Sequence, residues 1–320
     1  MRREKEVTRG RPRAGPVRRP AHGFGDDAET RRLLRSRPPV EALEWVRSLV
    51  GGTVAGVVAI RGGTSSAMHK VVLRGAGAGT RSVVLRRYVR REVLAEEPDV
   101  AVREARTLEF VERIPICTPE LLGLDPTGSE AGVPAVLMTR VGGRLDWDPS
   151  DMDGWLRQLV GVLPEIHSVR PPEGFGRFFP YRPVRFEPPP WSENRRVWER
   201  AFEVFSGPAP VSDERFVHRD FHPGNVLWRR AKVSGVVDWQ AACLGPPAVD
   251  VGHCRTNLFR YGLEVADRFS QMWEETTGRV YDPWSEVVSI VGVLDAHGRD
   301  PGHEGPVIEH ALARAISGVA

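Results

Sequence analysis

The chain has 320 residues, of which 41% are hydrophobic, so it is long enough for one large or two medium domains with a real core. Its three cysteines have no CxxC spacing, which argues against a disulfide framework or a thiolate zinc site. Neither a signal-peptide segment nor a run of about 18 apolar residues occurs, so we expect a cytoplasmic protein without a membrane partner.

The net charge of +3 is distributed unevenly. Residues 1–40 hold 12 Lys and Arg against 5 Asp and Glu, which leaves 33 of the 45 basic and 37 of the 42 acidic residues for the remainder. The first residues are rich in Arg, Pro and Gly and contain little to bury, so residues 1–38 are predicted to be a disordered basic tail. A solvated tail is favoured over nucleic-acid binding, and no nucleic-acid partner is expected.

The sequence pattern after this tail predicts a small sheet with two helices. Short β-branched segments separated by glycine-rich turns predict antiparallel strands, and apolar residues at steps of three and four predict helices. The predicted elements are a helix over 41–51, strands over 53–60, 68–75 and 81–89, a helix over 99–114 and a strand over 134–140.

The second half of the chain is mainly helical in its apolar spacing. A helix over residues 152–169 is predicted to kink or stop near Pro164, and further helices are expected over 196–206, 258–277 and 306–317. Residues 170–195 are too apolar for a linker and too rich in proline for a regular element. We expect this segment to be a packed insert near a pocket.

The stretch "FVHRDFHPGNVLW" at residues 216–228 has three interpretations. In an extended segment His218, Asp220 and His222 face one side and resemble part of a zinc site, although a fourth ligand is missing. Alternatively, Asp220 and Asn225 satisfy backbone amides in a structural turn. In the third interpretation Asp220 is a general base, and Asn225 holds magnesium together with another carboxylate.

The residues after Asn225 favour the third interpretation. They predict a β-hairpin whose second strand ends at Asp238, and an antiparallel hairpin places the start of one strand beside the end of the other. Facing residues there are about 5 Å apart, and Asp220 then lies at the same mouth. Magnesium commonly completes such an oxygen shell with phosphate oxygens and water, so a phosphoryl donor is implied.

The spacing of His218, Asp220, Asn225 and Asp238 resembles the motif of the aminoglycoside phosphotransferase family, relatives of the protein kinases. The segments "VVLRRYV", "VHRDFHPGNVLW" and "VSGVVDWQAACLGPPAVDVGH" occur in the family's order, and the resemblance covers about residues 40–300. It implies a bilobal, protein-kinase-like α+β fold. The smaller lobe, residues 39–140, is expected to contain an antiparallel sheet and bind nucleotide; the larger, mainly helical lobe, residues 141–320, is expected to carry catalysis and substrate binding.

The resemblance also assigns roles to residues around the two motifs. Asp220 matches the aspartate that accepts the proton of the substrate hydroxyl, and Asn225 and Asp238 match the magnesium ligands. Arg86 matches the strand cation that contacts the nucleotide phosphates. Glu104 is expected to pair with Arg86, unless it belongs to a solvated helix face.

The nucleotide contacts implied by the resemblance are weaker as motifs. A first hairpin turn would let backbone amides approach phosphates, or it is an ordinary turn. A strand end between the lobes resembles the hinge that reads adenine, or it is simply a strand end. The residues are Gly62, Gly63, Thr64 and Ser65 in the turn and Met138, Thr139 and Val141 at the strand end.

Three further residues of the matched segments have expected supporting roles. His218 is expected to brace the catalytic loop through hydrogen bonds, and Asp250 resembles the structural aspartate that ties this loop down. His222 either lines the pocket or packs. The acceptor-binding residues are not predicted, because aromatic side chains between 175 and 198 fit an apolar acceptor wall and a core equally well.

The implied reaction is transfer of the γ-phosphoryl group of ATP, or alternatively GTP, to a hydroxyl of a small molecule, with Mg²⁺ as cofactor. An antibiotic is the favoured acceptor, and a sugar, amino alcohol or nucleoside is the alternative. Two other classes stay open, namely a non-catalytic nucleotide-binding module and a metallohydrolase that uses His218 and His222.

Overall fold

The computed structural model describes residues 28–60, 65–75, 79–181, 185–293 and 304–319. These residues form a mixed α+β fold with one five-stranded antiparallel sheet, two short hairpin-like sheets and a mainly helical second half. The predicted fold class is therefore confirmed. Gly62, Gly63 and Thr64, predicted to contact phosphates, lie outside the described residues.

The described residues form a series of helices and strands along the chain. In order they are α1 (Ala28–Arg35), α2 (Val40–Val50), β1 (Thr53–Ala59), β2 (Ala67–Arg74), β3 (Thr80–Arg87), α3 (Arg91–Glu96), α4 (Val100–Val111), β4 (Leu121–Asp125), β5 (Ala135–Thr139), α5 (Met152–Ser168), α6 (Arg195–Ser206), β6 (Arg215–Val217), β7 (Val226–Arg229), β8 (Lys232–Val236), β9 (Cys243–Gly245), α7 (Ala248–Leu258), α8 (Leu263–Thr277), α9 (Trp284–Gly292) and α10 (Glu304–Gly318).

The large sheet has the strand order β1-β2-β3-β5-β4, and every neighbouring pair is antiparallel. Its third strand is central, and Val83, Val84 and Leu85 are buried because both faces of the sheet are covered there. Helix α2 covers one face through Trp45 and Val46. The apolar core on that face fixes β3, the strand that carries Arg86.

The β7–β8 hairpin is formed as the sequence predicts. Val226 pairs with Val236, and the strands are joined by Arg230 and Ala231, which adopt φ values of 52° and 56°. Two positive φ values are the mark of the two-residue turns that match the right-handed twist of hairpin strands. The register shifts by one residue between Leu227 and Trp228, and the pairing then continues to Val226 and Val236 at the open end of the hairpin.

Helices α7 and α9 cross closely in the second half, and the crossing positions one wall of the site. A Cβ at Gly252 would lie 2.6 Å from the carbonyl oxygen of Ser285, so any larger residue would separate the two helices. The aromatic ring of Trp284 and the side chains around it are buried in the same core. Helix α7, which holds Asp250 and His253, is thereby fixed against the protein interior.

Two predictions about helices are wrong. Residues 28–35, expected to be part of a disordered tail, form α1, which packs on β2 and buries Leu34; residues 1–27 lie outside the described part. The helix expected over 258–277 begins only at Leu263, because Gly262 has a φ of 102° that no α-helix contains. The residues before it form the separate helix α7. Helix α5 continues through Pro164 to Ser168.

Besides α1 and α7, the elements α3, β4, β6, β9 and α9 have no counterpart in the predictions. All five strands of the large sheet fall within residues 53–139, and a boundary of two lobes at residue 140 stays a prediction. In the described part of the chain, every helix is too short or too polar to span a bilayer.

The loop between β4 and β5 is held by one carboxylate. Asp125 is buried, and its Oδ1 accepts hydrogen bonds from the amides of Gly128 at 2.8 Å and Ser129 at 3.1 Å. Its Oδ2 accepts from the amides of Glu130 at 2.8 Å and Ala131 at 2.7 Å. Burial alone would raise the pKa of Asp125, but these amide donors outweigh burial and hold the pKa below its ordinary value.

We expect Asp125→Asn to lower the free energy of unfolding by about 1–3 kcal/mol at pH 7, because its amide NH₂ would face backbone donors. The pKa of Asp125 is lower in the folded state than in the unfolded one. Its stabilisation is therefore full above the unfolded value of about 3.9 and is lost as the pH falls through the folded value. Urea titrations from pH 7 downwards, with Glu130→Gln as the exposed control from the same loop, should show a difference that shrinks in acid. Equal stability at pH 7 would contradict this role.

Candidate active site

The loop after β6 brings Asp220 and Asn225 into contact. The amide nitrogen Nδ2 of Asn225 donates to the backbone oxygen of Asp220 at 2.8 Å and to its Oδ2 at 3.0 Å. A single 3₁₀ turn at residues 223–225 makes this return possible. The Asp220 side chain is 36% exposed, so part of it is accessible to solvent.

Asp238 lies at the same end of the β7–β8 hairpin. The backbone oxygen of Asn225 accepts from the amide of Val237 at 2.9 Å, so Asn225 and Asp238 stand on adjoining positions of the two strands. Asp238 has a left-handed backbone with φ 68°, uncommon for a residue with a side chain, and its side chain is one-third exposed. The structure therefore brings together the three residues that the hairpin argument placed at one mouth.

Two oxygens at this mouth are suited to a hard cation. Within the described residues, no hydrogen bond occupies Oδ1 of Asn225, because that side chain binds Asp220 through its nitrogen, and none occupies Oδ2 of Asp238. Mg²⁺ prefers carboxylate and amide oxygens and usually takes only one or two ligands from the protein. The donor set of these two residues fits that preference.

Arg86 joins the sheet to this mouth. Its Nη1 is paired with Oε1 of Glu104, and its Nη2 donates to Oδ1 of Asp238 at 2.8 Å. The hydroxyl of Tyr88 donates to Oε2 of Glu104 at 2.6 Å, so both carboxylate oxygens of this buried residue are satisfied. The expected pairing of Arg86 with Glu104 is present, and the alternative of a solvated helix face is wrong.

The charged groups around Arg86 change one another's pKa values. Burial opposes the charge on Arg86, but the carboxylates of Asp238 and Glu104 outweigh it and raise the Arg86 pKa well above its ordinary value. Burial raises the pKa of Glu104, against the pull of the guanidinium. Arg86 is thus a permanent buried cation between two carboxylates.

Gln240 is a polar neighbour of Arg86 that the sequence did not single out. Its Oε1 lies 3.4 Å from Nη1 of Arg86 and 3.5 Å from the hydroxyl of Ser65. Ser65 is the described member of the turn predicted to contact phosphates. Gln240 lies two residues after Asp238, so the contact joins that turn, the buried cation and the end of the hairpin.

The strand end predicted to read adenine is only partly available. Met138 and Val141 are buried, and the amide of Thr139 already donates to the backbone oxygen of Glu120 at 2.9 Å. The hydroxyl of Thr139 accepts from the amide of Glu120 at 2.9 Å. Since both groups of Thr139 are committed to β4, a base at this edge would have to use other backbone groups.

Asp250 supports the loop after β6 by accepting hydrogen bonds from its backbone. Its Oδ2 accepts from the amide of His218 at 2.9 Å and lies 3.0 Å from Nε2 of His167, and its Oδ1 accepts from the amide of Arg219 at 2.6 Å. Arg219 has a φ of 69°, a conformation that a non-glycine residue holds only when its surroundings enforce it. The arrangement matches the bracing expected of Asp250.

His218 also braces the loop, and it does so away from the cleft. The residue is fully buried, and its Nε2 lies 3.0 Å from the backbone oxygen of Val237. The zinc set of His218, Asp220 and His222 is therefore not assembled. The ring instead joins the loop after β6 to the residue before Asp238.

Two other histidines surround the carboxylate of Asp220. Nε2 of His253 lies 2.9 Å from Oδ1 of Asp220, and Nε2 of His222 lies 4.0 Å from the same oxygen. The donor atoms of the three residues all lie within 4.8 Å of one another. His253 was missed by the sequence reasoning; the available signal was its position one helical turn after Asp250 on α7.

The pKa values of Asp220 and His222 both differ from their ordinary values. Burial would raise the pKa of Asp220, but the hydrogen bond from His253 and the charges of the nearby histidines hold it well below its ordinary range. Burial lowers the pKa of His222 to about 4, against the attraction of Asp220. Asp220 is therefore a carboxylate and His222 a neutral imidazole at neutral pH.

The aromatic insert packs on the protein interior more than on the cleft. Phe175 contacts Phe216, and Trp198 is completely buried. Arg219 stacks on Tyr181, with its guanidinium carbon 3.8 Å from the ring centroid, and donates to the backbone oxygen of Phe179 at 2.7 Å. These contacts make the segment a structural support of the loop residue next to Asp220.

Comparisons with known proteins agree with this geometry. The family model described as "Phosphotransferase enzyme family" matches residues 57–285. No curated protein matches the chain significantly in sequence.

Solved structures of two antibiotic phosphotransferases resemble the chain. One is a thermostable mutant of aminoglycoside phosphotransferase APH(4)-Ia in a ternary complex with ADP and hygromycin B, at a TM-score of 0.60 and 15% identity over 88% of this chain and 99% of that one. The other is macrolide 2'-phosphotransferase MphH from Brachybacterium faecium, at a TM-score of 0.55 and 17% identity over 87% of this chain and 98% of that one. At such identities the likeness establishes the fold.

We expect Asp250→Asn to lower the free energy of unfolding by about 2 to 3 kcal/mol, because its NH₂ group would face one of two backbone donors. Hydrogen exchange at the amides of His218 and Arg219 should become faster in the variant. Asp153→Asn on α5, whose partner Arg268 is exposed, is the control and should change stability by less than about 1 kcal/mol. Unchanged exchange at both amides would show that Asp250 does not hold the loop.

Proposed function

The chain belongs to the phosphotransferase enzyme family, and from this premise we propose that Asp220, Asn225 and Asp238 transfer the γ-phosphoryl group of ATP to a hydroxyl of a small molecule. The observation that supports the proposal is the contact of Asn225 with Asp220, together with the hydrogen bond from the amide of Val237, the residue before Asp238, to the backbone oxygen of Asn225. Arg86, a permanent cation, contacts the same mouth through Asp238.

Asp220 is the proposed proton acceptor. Its Oδ2 is held by Asn225 and its Oδ1 by His253, so the carboxylate cannot rotate freely. The pKa of Asp220, held low, keeps the group ionised and ready to align a hydroxyl. In phosphoryl transfer most of the acceleration comes from positioning and charge stabilisation, so a fixed, weakly basic carboxylate is suited to this role.

Asn225 and Asp238 are the proposed magnesium ligands. Among the described residues, Oδ1 of Asn225 and Oδ2 of Asp238 take part in no hydrogen bond, whereas the other polar atom of each side chain is bound. When bound there, Mg²⁺ would neutralise charge on the phosphates of the donor. The hydrogen bond between Asn225 and Asp220 would hold the metal ligand and the base at a constant separation.

Arg86 is the proposed phosphate-binding cation, and Glu104 is its positioning residue. Arg86 binds Asp238, so a nucleotide would have to share or replace that contact. Ser65 would add a hydroxyl near the phosphates, and Met138 and Val141 would form part of the base-binding edge. The roles of Gly62, Gly63 and Thr64 remain predictions.

The comparisons support a nucleotide as donor and a small molecule as acceptor. A structure similar to this chain contains ADP and hygromycin B, and another is a macrolide phosphotransferase. We therefore propose ATP as donor, with GTP as the alternative, and an antibiotic as acceptor. The alternative acceptor is a metabolite such as a sugar, amino alcohol or nucleoside. The same assay identifies it as the compound that becomes phosphorylated.

The assay is an acceptor panel with radiolabelled ATP, Mg²⁺ and the full chain. We expect phosphate transfer to at least one aminoglycoside, macrolide or other antibiotic, dependent on Mg²⁺, and a loss of about 10²–10⁴-fold in kcat for Asp220→Asn. Asp213→Asn, an exposed aspartate in surface ion pairs, is the matched control and should be unaffected. Transfer that persists in Asp220→Asn, or without divalent metal, would refute the proposal.

We expect Glu104→Gln to lower kcat/KM for ATP by about tenfold to a hundredfold, because Arg86 would lose a charge-assisted partner. The KM for the acceptor should stay constant. Glu109→Gln, an exposed residue on the same helix α4, is the control, and thermal melting separates misfolding from a nucleotide effect. A change confined to the acceptor KM would contradict the placement of Arg86 on the nucleotide side.

A further inference from the structure

The imidazole of His222 is held in one tautomer. Its Nδ1 accepts a hydrogen bond from the amide of Gly224 at 3.1 Å. A ring nitrogen can accept only when it carries a lone pair, so the ring is neutral and its proton is on Nε2. His222 therefore presents an N–H donor on the side that faces Asp220.

The orientation of this ring is set by close packing. A Cβ at Gly224 would lie 2.5 Å from Cε1 of His222 and 3.1 Å from Cζ2 of Trp147. The rings of His222 and Trp147 are 6.3 Å apart at their centroids. Only glycine at position 224 leaves room for both, so the direction of Nε2–H is built into the loop.

The distance from Nε2 of His222 to Oδ1 of Asp220 is 4.0 Å, which is too long for a direct hydrogen bond. It is, however, the separation of two partners that share one oxygen atom. An oxygen about 2.8 Å from each atom would form an angle of about 90° between them, close to that between the donated and accepted bonds of a hydroxyl.

The carboxylate is prepared to receive such a hydroxyl. Oδ2 of Asp220 is bound by Asn225 at 3.0 Å, and Oδ1 is bound by His253 at 2.9 Å. A carboxylate oxygen accepts two hydrogen bonds, so Oδ1 retains one lone pair. The Asp220 side chain is about one-third exposed, so a ligand can reach it.

We infer that the acceptor hydroxyl sits between Asp220 and His222, donating its proton to Oδ1 of Asp220 and accepting a hydrogen bond from Nε2–H of His222. This inference rests on the proposed function. The hydroxyl oxygen keeps one lone pair for phosphorus: the new O–P bond forms, the bond from the γ-phosphorus to the leaving oxygen of ADP breaks, and the proton passes to Asp220.

The arrangement also defines what the site accepts at the reacting atom. The oxygen of a neutral alcohol can donate one hydrogen bond and accept another, as the two side chains require. An ammonium group has no lone pair for the N–H of His222. His222 is thus an acceptor-binding residue that selects hydroxyls over protonated amines, and His253 is a positioning residue that fixes Oδ1.

The tautomer is tested first, in the full chain labelled with ¹⁵N-histidine at pH 7.5. We expect long-range ¹H–¹⁵N spectra to show the Nε2–H tautomer for the resonances that disappear in His222→Gln. An Nδ1–H or doubly protonated ring would overturn the inference. Binding of one equivalent of Zn²⁺ that requires Asp220, His222 and His253 and converts the ring to Nδ1–H would also overturn it, because it would assign the cluster to metal.

The kinetic test uses water as the acceptor, measured as Mg²⁺-dependent ATP hydrolysis, and then the first antibiotic phosphorylated in the panel. We expect His222→Leu, which keeps bulk without a donor, to lower kcat/KM for the antibiotic and the hydrolysis rate by about tenfold or more. His222→Gln, whose side-chain NH₂ can replace the donor, should recover to within about threefold. The KM for ATP should not change in either variant.

The control is His310→Gln, an exposed histidine on α10 that takes no part in the site and should behave as the parent protein. Full activity of His222→Leu, alongside loss of activity in Asp220→Asn, would overturn this inference and leave the proposed function standing. A parent protein that transfers phosphate to no acceptor and does not hydrolyse ATP would overturn both. Equal losses in the Leu and Gln variants, with unchanged melting temperatures, would also refute the donor role.

Discussion

The site depends on one buried carboxylate. Asp250 is inaccessible to solvent, and a carboxylate in that position is costly unless donors surround it. Its donors are the amides of His218 and Arg219 and the ring of His167, so satisfying the charge also fixes the backbone just before Asp220. The left-handed conformation of Arg219 is maintained by the same bonds. Because Asp250 belongs to α7 and His167 to α5, the helical half of the protein sets the direction of the loop that carries Asp220.

A second buried interaction connects this loop to the sheet. Arg86 lies on β3, between Glu104 on α4 and Asp238 at the end of β8, and neither of its carboxylate partners could be removed without leaving a buried cation short of charge. The proposed nucleotide side and the proposed metal side therefore share one guanidinium. Gln240 extends this contact to Ser65, which lies before β2.

The groups around Asp220 fix the orientation of its carboxylate and make that carboxylate a weaker base. Asn225 and His253 donate to its two oxygens, which stabilises the ionised form and holds the pKa low. In a loose phosphoryl-transfer transition state the hydroxyl proton is lost late, so a strong base offers little advantage. In the proposed function, a rigid carboxylate next to a neutral imidazole would instead select the orientation of the incoming oxygen. The cluster is thus consistent with catalysis by positioning.

The sequence by itself determined the local features of this protein: the strands β1 to β3, the hairpin of β7 and β8, and the meeting of Asn225 and Asp238 that this hairpin requires. It also indicated the family, which the comparison confirms. These features are readable because strand alternation, turn chemistry and motif spacing act over a few residues. The roles of the site residues remain predictions.

Only the tertiary structure decided the features that join distant segments. It ordered residues 28–35 as a helix on β2, placed His253 against Asp220 and Gln240 against Arg86, and committed the amide of Thr139 to β4. No local pattern announces these contacts, because each partner is separated along the chain by many residues and meets the other only after the sheet and helices have packed. The physical reason is that a hydrogen bond depends on distance in space, whereas sequence spacing reports it only within a helix turn or a hairpin.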